Sequence, residues 1–116
     1  MIYNFTSHTV TVLDDHGIEH VFPPDGRVAQ VEIKTIPSTI LSDGTPTSIV
    51  TYGEAILPTI DYLDDIAIIA IVSAMFADAY RIQQGFDNIR LLVPDYGPTA
   101  VRKDGQIIAV RSLIWK

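Results

Sequence analysis

Apolar and polar positions alternate with period two through much of the first half of the chain, the signature of half-buried strands. Thr9-Val10-Thr11-Val12-Leu13 alternates, Asp14-Asp15-His16-Gly17 turns it, and residues 18–22 return with Ile18, His20 and Phe22 on one face. Pro23-Pro24-Asp25-Gly26 marks a second turn. Across residues 29–35, Ala29, Val31 and Ile33 alternate with Gln30, Glu32 and Lys34, which predicts another strand. Residues 38–47 are rich in Ser, Thr, Gly and Pro and read as a loop, and residues 48–52 as a further strand.

The period changes in the second half. Residues 66–72, Ile-Ala-Ile-Ile-Ala-Ile-Val, have no polar alternation and a high β-branched content, as in a strand buried on both faces. Ser73 then suits a helix N-cap, residues 74–83 a helix of about three turns, and Gly85 the position after its end. Asp78 and Arg81 are spaced to pair on that helix. The competing reading is one helix over residues 65–84. Residues 89–93 form a short strand that stops at Pro94. Asp104-Gly105 between apolar segments is a hairpin signal. With one helix against six or more strands, the expectation is a single α+β domain over residues 1–116, with a largely antiparallel sheet, one main helix and a C-terminal β-hairpin.

A two-residue loop at Asp104-Gly105 sets Lys103 opposite Gln106, Arg102 opposite Ile107, Ala100 opposite Ala109 and Pro98 opposite Arg111. Arg102 and Arg111 then share a face across a floor of Ala100 and Ala109, while Val101, Ile108, Val110, Ser112 and Ile114 face the core. Ile107 and Arg111 are roughly 14 Å apart along the strand, at about 3.4 Å per residue. Two guanidinium groups over a shallow alanine floor suit an anion with phosphates or carboxylates. The plainer account lays each arginine over apolar neighbours with its head in water. Ile107, Leu113 and Trp115 make this face too apolar for open solvent, so it needs a cover: the helix, a ligand or another subunit.

Charge sharpens the picture. The first eighty residues hold eleven carboxylates against Arg27 and Lys34, whereas the last thirty-six hold Asp87, Asp95 and Asp104 against six cations. Such asymmetry speaks of partners, and here of a small anion. A net charge of −6 argues against a nucleic-acid polymer. There is no cysteine, hence no disulfide, thiolate metal site or thiol nucleophile. The start, Met1-Ile2-Tyr3-Asn4, has no signal-peptide character, and the longest apolar run is well short of the ~20 residues needed to span a bilayer. The expectation is a soluble, cytoplasmic protein without membrane attachment.

Catalytic chemistry finds little support. His16 and His20 flank a turn and lack the shared helical face that a metal pair needs. Asp61, Asp64 and Asp65 lack calcium-loop spacing and read as a solvated loop or helix N-terminal charge. The seven glycines are scattered singly, and no serine sits in a nucleophile elbow. No catalytic residue, metal or cofactor is therefore expected. Phe76 and Tyr80, four apart on the predicted helix, are core residues or a stacking surface for a base. In Phe86-Asp87-Asn88-Ile89-Arg90, an aromatic, an amide and a guanidinium stand close together; Phe86, Asn88 and Arg90 either plug a loop or read a purine edge and a phosphate.

Asn4-Phe5-Thr6-Ser7-His8, Tyr52-Gly53-Glu54, Ile71-Val72-Ser73-Ala74, Leu92-Val93-Pro94, residues 102–108 (Arg-Lys-Asp-Gly-Gln-Ile-Ile) and Val110-Arg111-Ser112-Leu113 follow one another in an order that resembles a family of small phage- and prophage-encoded proteins. That family opens with an Asn-Leu-Thr-Pro-His-like strand, from which this chain departs at Phe5 and Ser7. The set also looks like the first described type of Thoeris anti-defence sponge. The resemblance implies a non-catalytic protein that sequesters nucleotide-derived immune signals, cyclic ADP-ribose isomers or cyclic oligonucleotides, as a symmetric homo-oligomer in the host cytoplasm. Ligand contacts would then fall on Arg102 and Arg111, on Phe76 or Phe86, and on Asn88; the residue pattern itself adds Tyr80 as an alternative stacking ring and Arg90 beside Asn88. The alternative is a phage structural or protein-interaction module without a small ligand.

Overall fold

The computed structural model describes residues 2–59 and 68–116. Its elements in chain order are β1 (Ile2–Asn4), β2 (Val10–Leu13), β3 (Glu19–Phe22), β4 (Gln30–Ile40), β5 (Pro46–Ile56), β6 (Ile68–Ile71), α1 (Ala74–Gln84), β7 (Ile89–Pro94), β8 (Val101–Lys103), β9 (Gln106–Ala109) and β10 (Leu113–Trp115). The fold is α+β. Hairpin pairings are antiparallel (β2–β3, β4–β5, β8–β9), as is β7–β10, but the central four-stranded sheet is mixed. Its order is β1-β6-β7-β10, with β1, β6 and β7 mutually parallel.

The apolar run behaves as a doubly buried strand should. Ile68, Ala70 and Val72 point to one side with Ile89, Leu91 and Val93, and Phe76, Ala77, Ala79 and Tyr80 of α1 pack over them. Ile71 and Leu92 point to the other side, against Val10 and Phe22 of the β2–β3 hairpin and Leu113. Two covered faces explain the absence of polar alternation. Extended chain at residues 68–71 rules out the single long helix over that stretch; Ile66, Ala67 and the Asp61, Asp64, Asp65 cluster lie outside the described residues. Ser73 caps α1, its Oγ accepting from the Phe76 N–H at 3.1 Å, and Gly85 ends it at φ 68° with its N–H on the Arg81 carbonyl at 2.8 Å.

Three expectations are corrected. The stretch 38–47 is mostly strand: β4 and β5 run as one 11-by-11-residue ribbon, closed only at Leu41–Thr45 by the Leu41 N–H to Thr45 carbonyl bond of 2.9 Å. Threonine-rich segments are good strand formers once paired, and Thr47 donates its hydroxyl to the Thr39 carbonyl across the ribbon. Asp78 does not pair with Arg81; it meets Lys116 at 3.5 Å, while Arg81 reaches Asp87. The third correction concerns the C-terminal hairpin.

That hairpin starts as the Asp-Gly signal dictates. Asp104 (φ 54°) and Gly105 (φ 80°) both adopt positive φ, and Lys103 pairs with Gln106 and Arg102 with Ile107. The register then shifts: Val101, not Ala100, pairs with Ala109, leaving Ile108 as an extra residue on β9. The cause is a second claim on the strand. Val110 bridges to Val12 of β2, with the Leu13 N–H on the Val110 carbonyl and the Val110 N–H on the Thr11 carbonyl, both at 2.9 Å. Beyond it the chain leaves the hairpin, and β10 joins β7 in the central sheet. Ala100 and Ala109 are therefore buried rather than an open floor, Ile108 and Ile114 are exposed rather than core, and Arg111 sits on the bend before β10 instead of opposite Pro98.

Candidate ligand-binding cleft

Three parallel strands end side by side, and each feeds a loop toward the same place: Phe5 to His8 after β1, Val72 and Ser73 after β6, and Asp95 and Tyr96 after β7. Open parallel sheets bind ligands at such carboxyl ends. Backbone bonds of 2.9 Å from the Phe5 N–H to the Ile71 carbonyl and from the Val72 N–H to the Leu92 carbonyl hold the ends in step.

Asn4 shapes the first loop. It is the buried polar residue of the described core, 2% exposed. Its Nδ2 donates to the His8 carbonyl at 2.9 Å and the Phe22 carbonyl at 2.8 Å, and its Oδ1 accepts from the Thr6 N–H at 3.0 Å and the Thr6 hydroxyl at 2.7 Å. One carboxamide thus ties β1, the Thr6–His8 turn and the end of β3 together, with its hydrogen-bonding groups matched.

The resulting cavity, about 230 Å³, has a polar rim of Thr6, Ser7, His8, Ser73 and Tyr96. Phe5, Val28, Ala29, Val72 and Pro94 give it an apolar base. A second cavity of about 200 Å³ lies on the other side of His8 and Tyr96, against Thr9, Thr11 and the β9 segment from Ile107 to Val110. Each is smaller than the roughly 300–1,000 Å³ of common ligand pockets. Ser73 brings the amino end of α1 to the first cavity, and no acidic residue sits in the first turn to cancel the positive end of the helix dipole. Arg27, ion-paired with Asp25 at 2.7 Å, lies over the Phe5 ring at 5.5 Å. Tyr96 is 57% exposed.

The residues singled out from sequence do not form one site. Arg102 alone among them touches the cleft wall, its Nη2 donating to the Tyr96 carbonyl at 3.4 Å. Phe76 and Tyr80 are 1% and 7% exposed and stack on each other at 5.8 Å, so the core occupies the ring faces that a base would need. Phe86, Asn88 and Arg90 are exposed at the opposite, amino end of β7. Arg111 is exposed on its bend.

The far end of α1 is instead a structural knot. Arg81 donates from Nη1 to the Gly85 carbonyl at 3.0 Å, from Nη2 to the Ile89 carbonyl at 2.8 Å and from Nε to the Lys116 carbonyl at 3.1 Å. It also stands over the Tyr80 and Phe86 rings at 5.5 and 5.0 Å. Asp87 takes the Tyr80 hydroxyl at 2.6 Å and the Ile89 N–H at 2.9 Å. Burial pushes the Asp87 carboxyl up, but the Tyr80 and Ile89 hydrogen bonds and the Arg81 charge together hold it below the usual carboxylate range.

The sequence pattern does not mark Asn4, Thr6, Ser73 or Tyr96 as site residues. Asn-x-Thr at a strand end is a recognisable turn signal, and residues 4–8 carry the family resemblance; nothing local marks Tyr96. The paired His16 and His20 part company, His20 meeting Asp14 at 2.8 Å, and among the described residues no three His, Asp or Glu side chains gather to hold a metal ion. Among the described residues no helix is long and apolar enough to cross a membrane. Comparison with protein-family models, curated proteins and solved structures finds no match.

Proposed function

We propose that this chain is a non-catalytic binding protein that captures a small nucleotide-derived anion in the cleft at the carboxyl ends of β1, β6 and β7. The carrying observation is convergence: residues 4–8, 71–74 and 92–94, three of the segments on which the phage-protein resemblance rests, are far apart in sequence and meet at this one cleft. A fourth segment, residues 102–108, lines the neighbouring cavity with Ile107 and Ile108 and ties Arg102 to the Tyr96 carbonyl. Phosphate oxygens sit at the amino end of α1 beside Ser73, with His8 as a further donor, and the exposed Tyr96 side chain stacks the base. The ligand class is that of the resembled sponges, a cyclic ADP-ribose isomer or a cyclic oligonucleotide. Sequestration in a phage-infected cell's cytoplasm needs affinity and copy number, not chemistry.

Incubation with a panel of these nucleotides, followed by heat denaturation and mass spectrometry, tests the proposal. Bound ligand is expected back intact. A changed product means an enzyme. Failure to retain any member of the panel favours the second reading, a protein-interaction module. A specific observation supports that alternative: the β4–β5 ribbon exposes apolar side chains on both faces.

A further inference from the structure

Independently of the cleft, the β4–β5 ribbon has properties that an isolated arm cannot sustain. The radius of gyration is 17.1 Å with extents of 52 × 41 × 22 Å, against about 13 Å for a compact chain of a hundred residues. Among the described residues β4 and β5 pair only with each other. A lone two-stranded ribbon is marginal in water and needs a third strand or a packed face. Among the described residues only its base has one. There Ala55 and Val31 join the core, and Gln83 of α1 clamps β5, its Oε1 accepting from the Ala55 N–H at 2.8 Å and its Nε2 donating to the Gly53 carbonyl at 2.7 Å.

Beyond that clamp Ile33, Ile36, Ile40, Ile49, Val50 and Tyr52 are 41–72% exposed. The cross-strand pairs Ile33–Tyr52 and Thr35–Val50 lie on one face and Ile36–Ile49 on the other.

The two edges differ. β4 carries Glu32 and Lys34, paired at 3.3 Å, and Pro37, which is how natural edges are blunted. β5 is open: residues 47–52, Thr-Ser-Ile-Val-Thr-Tyr, are six consecutive strand formers without charge, Gly or Pro. Lys34 and Asp43 are the charges between residues 33 and 53, and they cancel. A chain of net charge −6 repels its own copies elsewhere, so a neutral arm is where two copies approach without penalty, whereas a cationic or nucleic-acid partner finds nothing to hold.

We propose that β5 pairs antiparallel with β5 of a second copy about a two-fold axis, giving a four-stranded sheet in the order β4-β5-β5-β4. Such a pairing is self-complementary and closed. Period-two geometry puts residues of equal parity opposite each other, so the axis passes at Ile49 or Val50.

Light scattering counts the copies, and the absence of cysteine makes a single-cysteine scan of residues 47–52 a direct probe of the pairing. The expected result is a dimer whose disulfide yield peaks at Ile49→Cys or Val50→Cys and exceeds that of Ile36→Cys on β4. Val50→Lys, which sets two lysines near the axis, is expected to weaken the dimer at least ~100-fold with an unchanged circular dichroism spectrum. A monomer at every concentration overturns the proposal, as does a dimer whose cross-links do not favour β5. Nucleotide retention by the Val50→Lys variant reports on the cleft separately.

Discussion

Asn4→Asp is the sharpest test of how the cleft is built, because it exchanges one NH₂ for one oxygen in a side chain that is 2% exposed. The two bonds accepted from Thr6 survive. The two donated bonds do not: an oxygen now faces the His8 and Phe22 carbonyls from positions where Nδ2 stood 2.9 and 2.8 Å away. Losing two hydrogen bonds costs about 1 kcal/mol each, and burying the introduced oxygen without a donor adds about 1–3 kcal/mol, so the variant should lose about 3–5 kcal/mol of a total near 5–15 kcal/mol. Urea unfolding followed by circular dichroism measures this directly; a melting experiment should register a fall of more than about 12 °C. The sign of the pH dependence is a second check. Burial and the two carbonyls raise the introduced carboxyl's pKa in the folded state, so folding takes up a proton near neutrality. The deficit relative to the parent chain should therefore be largest at pH 7 and shrink on acidification toward the ordinary carboxylate pKa of about 3.9. A loss below about 1 kcal/mol at pH 7, or one that does not shrink in acid, would show that Asn4 does not organise the Thr6–His8 loop.

Other consequences can be checked on the same footing. Arg81→Leu strands three carbonyls and uncovers two rings, and should cost about 2–4 kcal/mol in urea unfolding; Arg111→Ala, on an exposed bend, should stay within about 0.5 kcal/mol. Because Asp87 is held below its unfolded pKa, its contribution to stability is complete above about pH 4 and is lost as pH falls through the lower folded value. Asp87→Asn should flatten that acid limb of the stability profile, and an unchanged limb would exclude Asp87 as its source. Gln83→Ala removes the clamp on β5, so amide exchange at Ala55 should quicken by at least ~10-fold while exchange in β6 and β7 stays unchanged.

What could be read from the sequence was local. The helix bounds follow from Ser73 and Gly85, whose capping roles involve neighbours within four residues, and the Asp104-Gly105 turn needs only its own two φ angles. The apolar run announced a doubly covered strand because burial on both faces leaves its mark on every residue. β1, three residues long, leaves too short a pattern to recognise. The ribbon was cut short because an arm away from the core need not alternate apolar with polar, so its Ser, Thr and Pro residues resembled a loop. The arginine face failed at a single residue: the extra Ile108 in β9 reflects the pull of Val110 toward β2, a contact ninety-eight positions away in the chain. The cleft was illegible for the same reason. It is made where strands from residues 4, 71 and 94 end together, and only their parallel pairing makes them neighbours. Charge asymmetry pointed to an anion, yet the cations of the last third are spread over separate places, with Arg81 consumed by structure and Arg102 alone at the cleft wall.

Calorimetric titration of a cyclic ADP-ribose isomer into the parent chain, Tyr96→Ala and Arg111→Ala, with mass spectrometry of the heat-released ligand, bears most directly on the cleft as a nucleotide trap. Saturable binding should weaken at least ~10-fold in Tyr96→Ala, the loss of one stacked base, remain unchanged in Arg111→Ala, and return a ligand of unaltered mass. Binding that survives Tyr96→Ala but fails in Arg111→Ala, or a ligand returned cleaved, would contradict both the site and the mechanism.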